Sequence, residues 1–224
     1  MLVLKNLLSY SLIFISLSLS AQKNIELSGG MLQNNFRDPF GEDALRKETS
    51  YTSEWGYSIR FSIDEVQVDW LKMRFTLGYN YLGGSFKSSD GSQGGSFSID
   101  ANFNKSLLTL AVYPAHLDIE GLLIDIGVEI GRLLWEDFRG ITIASSRGQA
   151  IITENVEELY DEFNSKAYFG LNLRFAYDIK ITENWALSPQ YNLYYGLSQE
   201  FYVPPETSRS YQHFFAIGLQ RALK

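Results

Sequence analysis

The chain has 224 residues, with 19 Lys and Arg against 26 Asp and Glu for a net charge of −7, and it contains no cysteine. That balance excludes a nucleic-acid binder held by phosphate contacts, and the missing cysteine excludes a disulfide framework and a lipidated cysteine anchor. Tyr and Phe number 14 and 15 and Gly 18, yet mean hydropathy is only −0.12, so large apolar residues are interleaved with small or polar ones.

Met1 to Ala21 reads as a secretory signal peptide. Lys5 supplies the positive start, Leu7 to Leu19 the apolar stretch, and Ser18-Leu-Ser20-Ala21 the small residues a peptidase needs before Gln22. Residues 22–224 are then expected to form a single domain. No later apolar run approaches the ~20 residues of a spanning helix, so any membrane crossing has to use strands.

Eight stretches with a period of two follow. The first, Asn24 to Gln33, sets Ile25, Leu27 and Met31 against Glu26, Ser28 and Gly30. A long polar loop, Asn34 to Ser53, separates it from Trp55, Tyr57, Ile59, Phe61 and Ile63, which alternate with Gly56, Ser58, Arg60 and Ser62. Asp64 to Asp69 reads as a short turn. The third stretch places Leu71, Met73, Phe75, Leu77, Tyr79 and Tyr81 opposite Lys72, Arg74, Thr76, Gly78 and Asn80. A tip of turn residues, Ser88 to Gly95, leads to the fourth, where alternation is weak until Leu108, Leu110 and Val112 stand against Thr109 and Ala111. Pro114 is expected to end that strand, and Ala115 to Gly121 to form a short turn.

The fifth stretch alternates Ile124, Ile126, Val128 and Ile130 with Asp125, Gly127, Glu129 and Gly131. The longest loop, Trp135 to Lys166, carries Glu154, Glu157, Glu158, Asp161 and Glu162, and reads as a short acidic helix with Thr153 as its N-cap. The sixth stretch is the cleanest: Phe169, Leu171, Leu173, Phe175, Tyr177 and Ile179 alternate with Gly170, Asn172, Arg174, Ala176 and Asp178. A tight turn at Lys180 to Asn184 and a seventh stretch, Trp185 to Leu197, follow. The loop holding Pro204-Pro205 precedes the eighth, Tyr211 to Leu219.

Connections thus alternate long and short, which is the layout of an all-β, eight-stranded antiparallel transmembrane barrel with short periplasmic turns and long extracellular loops. The apolar face is too bulky for the inside of an eight-stranded barrel, while the opposite face is dominated by Gly, Ala, Ser, Thr and Asn and suits a cramped lumen. Its charges balance, with Arg60, Lys72, Arg74 and Arg174 against Glu26, Asp125, Glu129 and Asp178. Glu129 and Arg174, on neighbouring strands, are expected to pair, as a structural ion pair rather than a charge gate.

The signal ending Ser20-Ala21-Gln22, the hairpin layout and the closing Phe214-Phe-Ala-Ile-Gly-Leu219 resemble the small outer-membrane barrels of the OmpA/OmpX type, and within them the PorT-like β-barrel domain group. The chain departs from the many members that end on an aromatic residue, running on to Arg221-Ala-Leu-Lys224. The resemblance implies an outer-membrane location, outer-membrane lipid as surroundings, and contacts with envelope or secretion-system proteins through the loops. An accessory role in secretion belongs to the PorT-like part of it.

Catalytic motifs are missing from the sequence. His213 shares the lipid-facing register of Phe215 and Ile217, and a lipid deacylase would need a serine where Phe215 stands. His116 falls in the expected short turn. The acidic run Glu154 to Glu162 lacks the spacing of a calcium loop, and Gly91 to Gly95 lacks the context of a phosphate loop. No cofactor and no metal ion are expected. The reading is a non-catalytic membrane scaffold, with a narrow porin-like channel as the alternative and a lipid-modifying enzyme as a third class.

Overall fold

The computed structural model describes residues 24–37, 47–68, 71–92, 95–146, 149–155, 166–198, 201–203 and 206–223. The expected signal peptide, the remainder of the acidic run from Val156 onward and Pro204-Pro205 lie outside the described residues. Among the described residues there are twelve strands: β1 (Asn24–Arg37), β2 (Lys47–Ser53), β3 (Trp55–Val68), β4 (Leu71–Ser92), β5 (Gly95–Ile119), β6 (Leu122–Ser146), β7 (Gln149–Asn155), β8 (Ala167–Tyr177), β9 (Ile179–Lys180), β10 (Trp185–Gly196), β11 (Phe201–Val203) and β12 (Glu206–Ala222).

Eight of them close on themselves in the order β1-β3-β4-β5-β6-β8-β10-β12, each antiparallel to its neighbours, with β12 returning to β1. The barrel is inside out relative to a soluble one. Leu27, Ile59, Leu77, Leu110, Ile126, Leu171 and Ile217 point outward and are exposed, and Ile217 reaches 60%. Glu26, Arg60, Asn80, Asp125, Arg174 and Asn192 point inward and are buried. Only a hydrocarbon surround makes that arrangement favourable, and closure leaves no wall strand with an unpaired edge inside it. From Leu122 to Trp135, β6 climbs about 30 Å along the bilayer normal at the usual rise and tilt, enough to cross.

Both described chain ends and the short turns lie at one end of the barrel, the periplasmic end. The β5–β6 turn is a two-residue hairpin with positive φ at both Glu120 (51°) and Gly121 (91°), the backbone that matches the twist of the flanking strands. Gly121 N–H donates to Asp118 Oδ1 at 3.1 Å.

Three departures from simple alternation shape the wall. Val112 pairs with Val128 and Ala115 with Ile126, so Tyr113 and Pro114 together oppose Gly127. Pro114 therefore does not end the strand as expected: its missing N–H is absorbed in a bulge and β5 continues to Ile119. A second shift leaves Asp64 and Glu65 opposite Arg74, and a third leaves Leu134 unpaired between Leu133 and Trp135.

At the outer end the described parts of the expected loops are largely strand. β2 continues the line of β3 past Glu54 and pairs with β4 from Ser53–Gly84 to Lys47–Asp90. β4, β5 and β6 run on together to the Ser92–Gly95 and Gly95–Ser146 pairs, and β7 folds back along β6. Beside them β8 starts at Ala167, opposite Arg132, so β6 rises beyond its neighbour for about 45 Å of strand. The result is a five-stranded sheet, β2-β4-β5-β6-β7, standing beyond the membrane on one side of the barrel. Thr153 and Glu154 pair with Ile143 and Thr142 in it, which overturns the N-cap reading of Thr153.

The closing seam runs without a break from Asn24–Ala222 to Arg37–Arg209. At Gly30 the two backbones approach so closely that a Cβ would lie 1.9 Å from the Phe215 carbonyl oxygen. Gly30→Ala is expected to cost about 1–3 kcal/mol, because backbone rather than a flexible side chain must give way. Urea titration of the protein folded in lipid vesicles reads this loss, and an unchanged midpoint would show that the seam does not need glycine.

Candidate functional site

The lumen holds two polar layers and an apolar one. The layer nearer the periplasm is centred on Glu26 and Arg174. Arg174 donates from Nη2 to Glu26 Oε2 at 2.9 Å, from Nη1 to Asp125 Oδ2 at 2.7 Å and from Nε to Gln190 Oε1 at 2.9 Å. Glu26 Oε1 accepts from Arg74 Nη2 and from Gln190 Nε2, each at 2.9 Å. Arg74 Nη1 lies 2.6 Å from Asp64 Oδ1, and Gln220 donates to Asp64 Oδ2 at 3.1 Å. Each carboxylate thus meets a guanidinium or an amide donor, the condition for keeping charge out of water. Small residues make the room: a Cβ at Gly218 would meet the Glu26 carboxyl carbon and Gln190 Nε2, each at 2.9 Å.

The second polar layer lies further out. Arg60 Nη1 stands 3.5 Å from Glu129 Oε2, and Asn172 donates to the same carboxylate. Arg60 Nε also donates to Ser58 Oγ at 3.3 Å, and its guanidinium covers the Phe214 ring 4.6 Å from the centroid. Above it the interior turns apolar: Leu32, Leu82, Leu107, Tyr168, Phe214 and Ala216 form one buried cluster with Leu133 against it. Lys105 is buried beside this cluster, its Nζ 5.5 Å and 5.7 Å from the Phe103 and Tyr168 ring centroids. The expected uniformly polar filling is therefore corrected: an apolar and aromatic cluster interrupts it, with buried Asn34, Ser210 and Gln212 lying further out. Among the described residues, cavities adjoin these layers at two places. One, of about 10 Å³, is lined by Asn80, Glu129, Tyr168 and Gln212; the other, of about 110 Å³, opens at the periplasmic mouth between Asp64, Arg74, His116, Asp118 and Asp178.

The eight residues singled out from the sequence fall in three groups. Glu26, Arg60, Arg74, Asp125, Glu129 and Arg174 are buried in the lumen. Asp178 is half-buried at the mouth, where Ser188 Oγ donates to it at 2.7 Å. Lys72 lies on β4, and its side chain is outside the described residues. Among described residues the buried charges are Arg60, Arg74, Lys105 and Arg174 against Glu26, Asp64, Asp125 and Glu129. Asp64 and Lys105 were not expected there.

The expected Glu129–Arg174 pair does not form. The β6–β8 register sets Arg174 directly opposite Asp125 and leaves Gly170 opposite Glu129, about 13 Å along the strand from Arg174. His116 is likewise not in a turn. It faces inward on β5, opposite Asp125, with Nδ1 2.6 Å from Asp125 Oδ1.

On the outer surface aromatic residues mark the two membrane boundaries. Trp55, Trp135 and the stacked pair Tyr57–Tyr81 (5.2 Å between centroids) stand towards the outer end, Tyr177 and Trp185 towards the periplasm. His213 lies on this outer face, its Nδ1 2.7 Å from the Tyr191 hydroxyl and its ring edge-on to Tyr211 at 5.5 Å.

A closed eight-stranded barrel, apolar outside and ion-paired inside, is a small outer-membrane β-barrel, and the outer membrane is its location. No family model matches the chain, and no curated protein matches it in sequence. Among solved structures it is similar to Neisserial surface protein A, with 11% identity over 89% of this chain and 97% of that one and a TM-score of 0.39. It is similar to the attachment invasion locus protein Ail of Yersinia pestis, with 13% identity over 89% of this chain and 99% of that one and a TM-score of 0.39. It is also similar to OprG of Pseudomonas aeruginosa, with 12% identity, 89% and 96% of the two chains covered and a TM-score of 0.39.

Proposed function

We propose that the protein is a non-catalytic scaffold of the outer membrane whose contacts are made by its outward sheet, β2-β4-β5-β6-β7, with envelope or external proteins as partners. The observation that carries this is the double seal of the lumen, an ion-paired layer around Arg174 below an apolar cluster around Phe214. A barrel stopped twice has no bore to offer a solute, whereas the sheet exposes Lys87, Asp100, Asn102, Arg139, Ile141 and Ile143 beyond the membrane. In support of a non-catalytic role, the described partners of His213 are the Tyr191 hydroxyl and the rings of Tyr191 and Tyr211, with no carboxylate or serine among them. The PorT-like resemblance would make the partner a secretion component, a narrower assignment with no family match behind it.

The test is planar-bilayer recording of the purified protein. A scaffold with a sealed lumen gives no unitary conductance steps at either polarity. Reproducible steps whose ion selectivity changes in Glu129→Gln would overturn the reading in favour of a narrow channel.

A further inference from the structure

The outward register of the barrel is almost free of charge across the membrane. Along β6 it reads Leu122, Ile124, Ile126, Val128, Ile130, Arg132 and then Leu134 and Trp135, the last two adjacent because of the bulge. Arg132 is exposed and sits between Ile130 at 55% exposure and Leu134 at 54%. Other outward cations of the wall strands lie at its rims: Arg209 beyond Tyr211, and Arg221 beside Trp185 at 5.5 Å. Arg132 is thus the described charge with apolar, lipid-facing residues on both sides of it along its own strand.

Its depth follows from the register. Arg132 pairs with Leu108 and Trp135 with Ser106, so the guanidinium starts about 5 Å below the level of the interfacial tryptophan. An arginine side chain spans that distance and brings its head to the outer headgroup level. Among the described residues its side chain has no ion pair or hydrogen bond. Its neighbour across on β8 is the exposed Ala167, which shares its outward face. Lys166, whose carbonyl accepts from Leu133 N–H at 3.0 Å, stands opposite Leu133 on the inward register, so the outward neighbours of Arg132 are Ile130, Leu134 and Trp135 on its own strand and Ala167 and Phe169 on β8.

A planar five-donor cation on a surface otherwise apolar, at headgroup depth, fits one kind of partner. We propose that Arg132 binds the phosphate of an anionic lipid in the outer leaflet, with its chains lying on Ile130 and Phe169. The bidentate geometry of guanidinium and phosphate supplies the recognition. The apolar neighbours supply the surface for the acyl chains. This would tie one side of the barrel, the side from which the tall sheet rises, to a particular lipid.

The experiment is native mass spectrometry of the full chain from mixed micelles holding equal amounts of phosphatidylglycerol and phosphatidylcholine. The wild type should retain phosphatidylglycerol in about tenfold preference, the worth of one good charge-assisted contact. Arg132→Gln should abolish that preference, Arg132→Lys should keep part of it, and Arg139→Gln, on the sheet beyond the membrane, should leave it intact. Heat-dependent gel mobility checks that each variant is folded. Equal retention of both lipids by the wild type, or a preference that survives in folded Arg132→Gln, would refute the site.

Discussion

Arg174→Met should be among the most damaging single changes in this barrel, costing about 3–5 kcal/mol in urea titrations of the protein folded in lipid vesicles. Arg174 is 1% exposed and holds Glu26 and Asp125 at 2.9 and 2.7 Å. Methionine fills similar space and removes the charge, so two carboxylates lose a counter-ion where water does not reach. Most of the cost is that desolvation, and it is therefore recoverable. Adding Glu26→Gln and Asp125→Asn to Arg174→Met should restore part of the loss, since Arg74 keeps its partner Asp64 at 2.6 Å. By contrast Arg139→Gln breaks an exposed pair with Asp137 at 3.0 Å and should change stability by about 0–1 kcal/mol. An Arg174→Met protein within 1 kcal/mol of the wild type, on the same scale, would mean that the lower layer is hydrated and its ion pairs are interchangeable.

The same layer shows what a period of two reveals and what it conceals. Parity alone placed Glu26, Arg60, Arg74, Asp125, Glu129 and Arg174 on the inward face, because each lies in an uninterrupted run of alternation. It failed beside bulges and in weak alternation. Asp64 read as a turn residue because two residues there oppose one on β4, and Lys105 went unnoticed in the poorly alternating start of β5. Partner choice was also out of reach. Whether Arg174 meets Asp125 or Glu129 depends on the β6–β8 register, and one sequence carries no direct record of it. The outward sheet was hidden for a different reason. Ser88 to Ser92 and the first residues of β5 are poor strand formers by composition, and they become strand by pairing along β4, β5 and β6 where those strands simply continue out of the barrel.

Phe214→Ala is expected to cost about 3–5 kcal/mol, as truncation of a fully packed aromatic ring does. The ring is 1% exposed, sits among Leu32, Leu82, Leu107 and Tyr168, and carries the Arg60 guanidinium 4.6 Å from its centroid. Phe214→Leu, which keeps most of the volume, should cost less than about 1.5 kcal/mol, and the difference between the two variants measures the cavity. Conductance gives the second readout. The apolar cluster and the Arg174 layer are barriers in series, so a hole in the first should leave the barrel electrically closed while it is folded. Steady current through Phe214→Ala would place the whole seal in the apolar cluster and make the ion-paired layer permeable. Continued silence would locate an independent seal at Glu26, Asp125 and Arg174, which is the arrangement a scaffold needs if its stabilising charges are not also to serve as a pore.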